Sequence, residues 1–190
     1  MKKVTLLLLI GSVVFACQSK KDTSEHQHGA TQETAPADTV KKSIPKEEHA
    51  MMGEAHFTIK YHAPAVRGRT IWGGLVPYGE VWVTGAHRAT SFEVSKDILL
   101  NGQKIPAGKY AFFTIPGKEV WTVIINKKWD QHLADEYSAA DDVVRFDVKP
   151  EVLPQVQERL RYAVQVENDQ SGALTFAWEL VQLTLRVEVI

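Results

Sequence analysis

The side chains best equipped for chemistry in this 190-residue chain are its imidazoles, thioethers and clustered arginines. His26 and His28, then His49, Met51, Met52 and His56, all fall in the N-terminal third. Imidazole suits copper, zinc or nickel and thioether favours Cu(I), so the segment reads as a weak copper or zinc site formed by a pliable stretch of chain. His62 cannot join His56 on one ion while both lie on an unbroken strand. At ~3.3 Å per residue they would stand about 20 Å apart.

A second constellation is polar. Arg67, Arg69, Glu80, His87 and Arg88 fall at expected strand ends or turns, where loops carry function, with Trp72 between them. Two arginines flanking Gly68 can clamp a carboxylate or phosphate through paired hydrogen bonds, or can instead form ion pairs with Asp141, Asp142 or Glu179. His87 with Glu80, or His132 with Asp135, has the composition of an acid–base pair, although a carboxylate lies near most histidines by chance. The five tryptophans offer either a sugar-stacking platform or core packing. The sequence contains no Gly-x-Ser-x-Gly elbow, P-loop, His-Glu-x-x-His or dinucleotide fingerprint, so no catalytic residue is assigned.

Composition narrows the classes further. With 22 basic and 23 acidic residues the net charge is −1, which removes the electrostatic case for nucleic-acid binding. One cysteine excludes a disulfide framework. That cysteine closes an N-terminal pattern: Met1-Lys2-Lys3 is positive and residues 4–15 form an apolar run. As a helix the run covers roughly 18 Å, well short of the ~30 Å hydrocarbon core, so it reads as the h-region of an export signal. The run ends in Val14-Phe15-Ala16-Cys17, which resembles the bacterial lipobox. On that resemblance residues 1–16 are removed, Cys17 is acylated, and the protein is exported and lipid-anchored to the envelope, at the outer membrane. The alternative is an ordinary secreted protein with an incidental thiol.

Residues 17–54 contain no aromatic side chain and are rich in Lys, Glu, Thr, Ser, Gln and Ala, the composition of a disordered tether. From Ala55 the apolar period becomes two, as in Phe57, Ile59 and Tyr61. Strands are expected over 80–86, 89–95, 98–100, 103–105, 109–115, 120–126, 143–149, 159–167, 174–180 and 182–190. Asn101-Gly102 is the pair that a type I′ hairpin turn accepts. The residues therefore predict an all-β domain over 55–190, an antiparallel β-sandwich of jelly-roll-like or barrel-like form, with at most one short helix within 130–142.

Several phrases carry a family resemblance. They are Pro64-Ala65-Val66-Arg67-Gly68-Arg69, Leu75-Val76-Pro77-Tyr78-Gly79, Val81-Trp82-Val83-Thr84-Gly85-Ala86, Ala89-Thr90, Pro106-Ala107-Gly108-Lys109-Tyr110, Thr114-Ile115-Pro116, Trp121-Thr122-Val123-Ile124-Ile125-Asn126 and Trp178-Glu179. In this order they resemble, over roughly 55–185, the bacterial domain of unknown function 2911, common in Bacteroidetes envelope proteins. In the family pattern an Arg often follows the Trp of Trp-x-x-Gly-Ala and an Asn follows its Ala; Val83 and His87 stand there in this chain. The resemblance implies no activity.

The expected function is therefore a non-catalytic binding module on the envelope, its partners the membrane through the anchor and a small molecule, glycan or protein. A hydrolase or carbohydrate-active protein with a polar pocket at Arg67, Arg69, Glu80 and His87 is the rival reading, and metal handling the third. No cofactor beyond weak copper or zinc is expected.

Overall fold

The computed structural model of the chain describes residues 42–190. Its strands are β1 (Ser43–Met52), β2 (Ala55–Pro64), β3 (Thr90–Val94), β4 (Ile98–Leu100), β5 (Gln103–Ile105), β6 (Gly108–Ile115), β7 (Trp121–Asn126), β8 (Asp142–Val148), β9 (Glu151–Val166) and β10 (Ser171–Val189). They form two antiparallel sheets, β1-β2-β3-β6-β7-β8 and β5-β4-β10-β9. The all-β sandwich read from the period of two is the fold. The sheets do not close into a barrel, and the expected short helix shrinks to a 3₁₀ turn over Ala139–Asp141.

Alternation builds the interior directly. Phe57, Ile59 and Tyr61 of β2, Phe92 and Val94 of β3, and Leu183, Leu185 and Val187 of β10 all face one core between the sheets. The apolar run of β7 has a different cause, because it is covered on both faces. Trp121, Val123 and Ile125 enter the main core, while Ile124 joins Val83, Ala89, Ala111 and Phe113 beneath the 127–141 segment.

Three expectations need correction. First, the tether boundary at 54 does not hold, because Ser43–Met52 is an edge strand paired over its whole length with β2. Polar residues on both faces hid its alternation, yet Met52 is fully buried. Gly53, at φ 55°, makes the two-residue turn back into β2. Residues 1–41, including Cys17, His26 and His28, lie outside the described residues.

Second, 80–86 is not a strand. Trp82 forms one bridge with Thr114, exchanging backbone hydrogen bonds of 2.8 and 3.0 Å, and the positive φ of Thr84 and His87 then turns the chain out of the sheet. Third, 174–180 and 182–190 are one continuous strand, and β9 begins eight residues before its expected start at 159. The pairing of β10 with β9 shifts register on either side of Glu179, whose φ is 56°, so the strand bends without ending. Pro154 is tolerated in β9 because β9 is an edge strand.

Since β1 contributes Met52 to the core and a full ladder to β2, a chain beginning at residue 55 will be markedly less stable than one beginning at 42. The loss of Met52 alone is worth about 2–5 kcal/mol on the scale of buried Met truncations. Urea unfolding of the two chains, followed by tryptophan fluorescence, checks this; equal midpoints would refute it.

Candidate functional site

Four tryptophans gather where the 65–88 segment meets both sheets. Trp121 comes from β7, Trp178 from β10, and Trp72 and Trp82 from the intervening loop. Trp72 sits edge-on to Trp121, Trp82 and Trp178 at centroid distances of 4.7, 5.7 and 5.7 Å, and Trp82 stacks on Trp178 at 5.8 Å. Trp72 Nε1 donates to Glu179 Oε2 at 3.2 Å, holding the carboxylate at the β10 bend. Trp72 is therefore fixed by packing, and it also lines two depressions, one with Tyr78 and Lys118 and one with Arg69 and Glu179.

The loop that follows is pinned by Thr84, which is completely buried. Its carbonyl accepts from the Tyr162 hydroxyl at 2.9 Å and from Thr90 Oγ1 at 3.1 Å, and its hydroxyl meets Thr114 Oγ1 at 3.0 Å. Burial pushes the Tyr162 hydroxyl well above its ordinary pKa, so it stays a donor. Leu133 N–H donates to the His87 carbonyl at 2.9 Å and Ala89 N–H to the Gln131 carbonyl at 3.1 Å, clamping the far end of the loop.

Between this loop, the start of β1 and Trp178 lies a cavity of about 290 Å³. Its walls are mostly apolar, with Leu75, Val76, Trp82 and Val83, and its polar side chains are Lys42, Ser43, Arg69 and His87. Three buried side-chain polar atoms lack a hydrogen-bond partner among the described residues: Trp178 Nε1, Ser43 Oγ and Gln131 Oε1. The first two belong to residues that line this cavity. A buried donor left unpaired costs about 1–3 kcal/mol, so most such groups have partners.

The expected polar cluster is divided. Arg69 and His87 reach the cavity, whereas Glu80 is exposed and lines none of the depressions described here. Arg69 donates through Nε to the Val66 carbonyl at 3.0 Å and through Nη2 to the Ala65 carbonyl at 2.5 Å, bracing its own turn. Arg67 N–H donates to Glu158 Oε1 at 2.9 Å. Of the suggested acceptors, Glu179 is engaged with Trp72, and Asp142 with Asn126, Tyr137 and Arg145. Ser43, which the sequence places in the tether, is the site residue that sequence reasoning misses. Trp178 stands in the family phrases without any hint there that its indole N–H lacks a partner.

Arg88 lies instead in a second depression of about 400 Å³ on the outer face of the larger sheet, with Lys60, His62, Lys109 and Trp129. This groove is larger, and its two carboxylates, Glu47 and Asp130, are each already taken by a cation. Lys60 pairs with Glu47 at 3.0 Å, Arg88 pairs with Asp130, and Lys109 covers the Trp129 ring at 3.7 Å. Lys109 thus occupies one face of the Trp129 ring. The smaller cavity, with its unpaired donors, is the better candidate.

No acid–base pair forms at the cavity. The cavity has no carboxylate in its lining, and Ser43 Oγ meets no histidine. His132 does contact Asp135 at 3.0 Å, but both side chains are about two-thirds exposed. His49, Met51 and His56 lie on the outer face of the first hairpin, whereas Met52 points into the core.

The family model described as "Protein of unknown function (DUF2911)" matches residues 25–187. The chain belongs to that family. The match begins well before 55, in keeping with β1 as part of the fold. No curated protein and no solved structure matches the chain. Many residues of the family phrases, from Pro64 and Arg69 through Trp82, Val83, Gly85 and Ala86 to Trp178, line the cavity.

His62 packs edge-on against His87 at 5.2 Å. Burial, then the neighbouring His87 and Arg88, lower its pKa below the ordinary 6.5. The unfolded chain therefore binds this proton first as pH falls, and stability drops below about 6.5. Urea midpoints between pH 7.5 and 5.5 will fall less in His62→Asn than in wild type; identical slopes would show that His62 takes no part.

Proposed function

We propose that this domain is a non-catalytic module that binds a small organic acid with an apolar body in the cavity between the 64–87 loop and Trp178. The observation that carries the reading is the pair of unpartnered buried groups, Trp178 Nε1 and Ser43 Oγ, on residues lining an aromatic cavity. Each group exposes almost no surface in the unliganded protein, so an acceptor on the ligand would reach it with a small shift of the lining. Arg69 at the cavity supplies the positive charge that selects a carboxylate. The apolar walls would take the rest of the molecule, as small-ligand sites commonly do. Binding is favoured over hydrolysis because no carboxylate and no activated nucleophile lines the cavity.

The probe is phenylacetate, followed by the tryptophan indole resonances in 15N-labelled protein. Saturable movement of the Trp178 resonance is expected. Ser43→Ala removes a buried hydroxyl with no partner, so the unliganded protein will be at least as stable as wild type while phenylacetate binds several-fold more weakly. No movement with phenylacetate, benzoate or hexanoate would overturn the reading.

The module is proposed to work from a bacterial envelope of Bacteroidetes type, anchored at the outer membrane through acylated Cys17. The positive start, short apolar run and terminal cysteine support this. Acyl chains contribute about 0.8 kcal/mol per buried methylene, so two chains anchor stably. With β1 starting at Ser43, 24 residues (18–41) lie between the anchor and the first described residue, Lys42. Mass spectrometry of the cell-expressed protein should find a diacylated or triacylated N-terminal Cys17, and Cys17→Ser should release the protein from membranes; an unmodified, freely soluble wild type would refute the anchor.

A further inference from the structure

The first hairpin carries a feature that is independent of the cavity. Its register sets Met51 directly opposite His56, and His49 opposite Thr58. Cross-strand partners project on the same face, as do residues two apart on one strand. His49, Met51 and His56 thus stand side by side on the outer face, lining a shallow depression of about 340 Å³ with Thr58. Met51 is 58% exposed. The expected metal-binding segment is therefore not a loose coil in this part but a paired ladder that holds three of its donors in register.

His49 is also oriented. Its Nε2 meets Glu47 Oε1 at 2.9 Å, and its Nδ1 lies 3.2 Å from Thr58 Oγ1, on the side facing β2. A carboxylate on one ring nitrogen is the arrangement that leaves the other to act as a metal ligand. Among the described residues no group of three or more His, Cys, Asp or Glu is placed to hold a metal. Three donors share this face only when the thioether is counted. That requirement sorts the metals: zinc takes imidazole, thiolate and carboxylate, whereas a thioether with two imidazoles is a soft set that selects Cu(I).

We propose that the outer face of the β1–β2 hairpin is a Cu(I) site formed by His49, Met51 and His56, with Glu47 orienting His49. Binding is by coordination alone and involves no electron transfer. The ion displaces the contact between His49 Nδ1 and Thr58.

The test is anaerobic titration of Cu(I) into the full chain against bicinchoninate, with Zn(II) as the parallel probe. Wild type is expected to compete for one equivalent of Cu(I) and to leave Zn(II) without saturable binding at micromolar concentration. Met51→Leu should weaken Cu(I) binding by roughly 10- to 100-fold, at least the loss seen when an outer-shell partner is removed. The double variant His49→Asn/His56→Asn should abolish it, and His26→Asn/His28→Asn should leave it intact. All three hairpin side chains face solvent, and circular dichroism will report whether each variant keeps its sheet content. The Trp178 indole resonance should not move with Cu(I), which separates this site from the proposed cavity. No competition for Cu(I), equal binding of Zn(II), or binding that survives Met51→Leu but is lost in His26→Asn/His28→Asn would overturn the proposal.

Discussion

The tryptophan cluster is the contact on which the domain's organisation depends. Trp121 belongs to the larger sheet, Trp178 to the smaller, and Trp72 and Trp82 to the loop that closes the end of the sandwich. Edge-to-face and stacked aromatic pairs each add about 0.5–1.5 kcal/mol beyond the area they bury. Here such pairs also fix where a long irregular segment must lie. Phe176 extends the cluster toward Tyr162, which in turn reaches the Thr84 carbonyl. The same aromatic layer that joins the sheets therefore sets the position of the loop that walls the cavity.

That arrangement explains an apparent conflict within one residue. Trp178 is among the most deeply buried side chains, yet its indole N–H meets no acceptor. Stacking on Trp82 and edge contact with Trp72 determine the ring's position, and the polar edge must follow. Trp72, by contrast, finds Glu179, and Trp82 Nε1 finds the Gly85 carbonyl at 3.2 Å. Among Trp72, Trp82 and Trp178, only the Trp178 indole is left without a partner among the described residues.

The fold was largely legible because burying one face of a sheet imposes a period of two, and β2, β3 and β10 show it openly. The Asn101-Gly102 turn was equally plain, with both residues at positive φ, 49° and 76°. Two kinds of element were hidden. β1 is an edge strand whose outward face carries Glu47, His49 and Met51 and whose inward face carries Lys46 and Glu48 as well as Met52, so it imitates a polar linker. The 80–86 segment has apolar alternation without a strand, because Thr84 and His87 adopt left-handed backbone to serve buried contacts. The candidate site was half legible: Arg69 and His87 were singled out, but Ser43 was assigned to the wrong region and Arg67 and Glu80 do not join them.

By itself, then, the sequence determined the architecture, the single cysteine at the end of an apolar run, and the absence of familiar catalytic motifs. Periodicity and composition are local properties, and these conclusions need nothing more. Which polar groups meet, and which stay unpaired, was decided by tertiary structure alone. Ser43 and Trp178 are separated by most of the domain's length and come to one cavity only when β1 folds against the end of the sandwich. His49, Met51 and His56 become neighbours only through the register of a hairpin that Gly53 turns. Pairing of this kind depends on distances between elements, and no window of the sequence contains those distances.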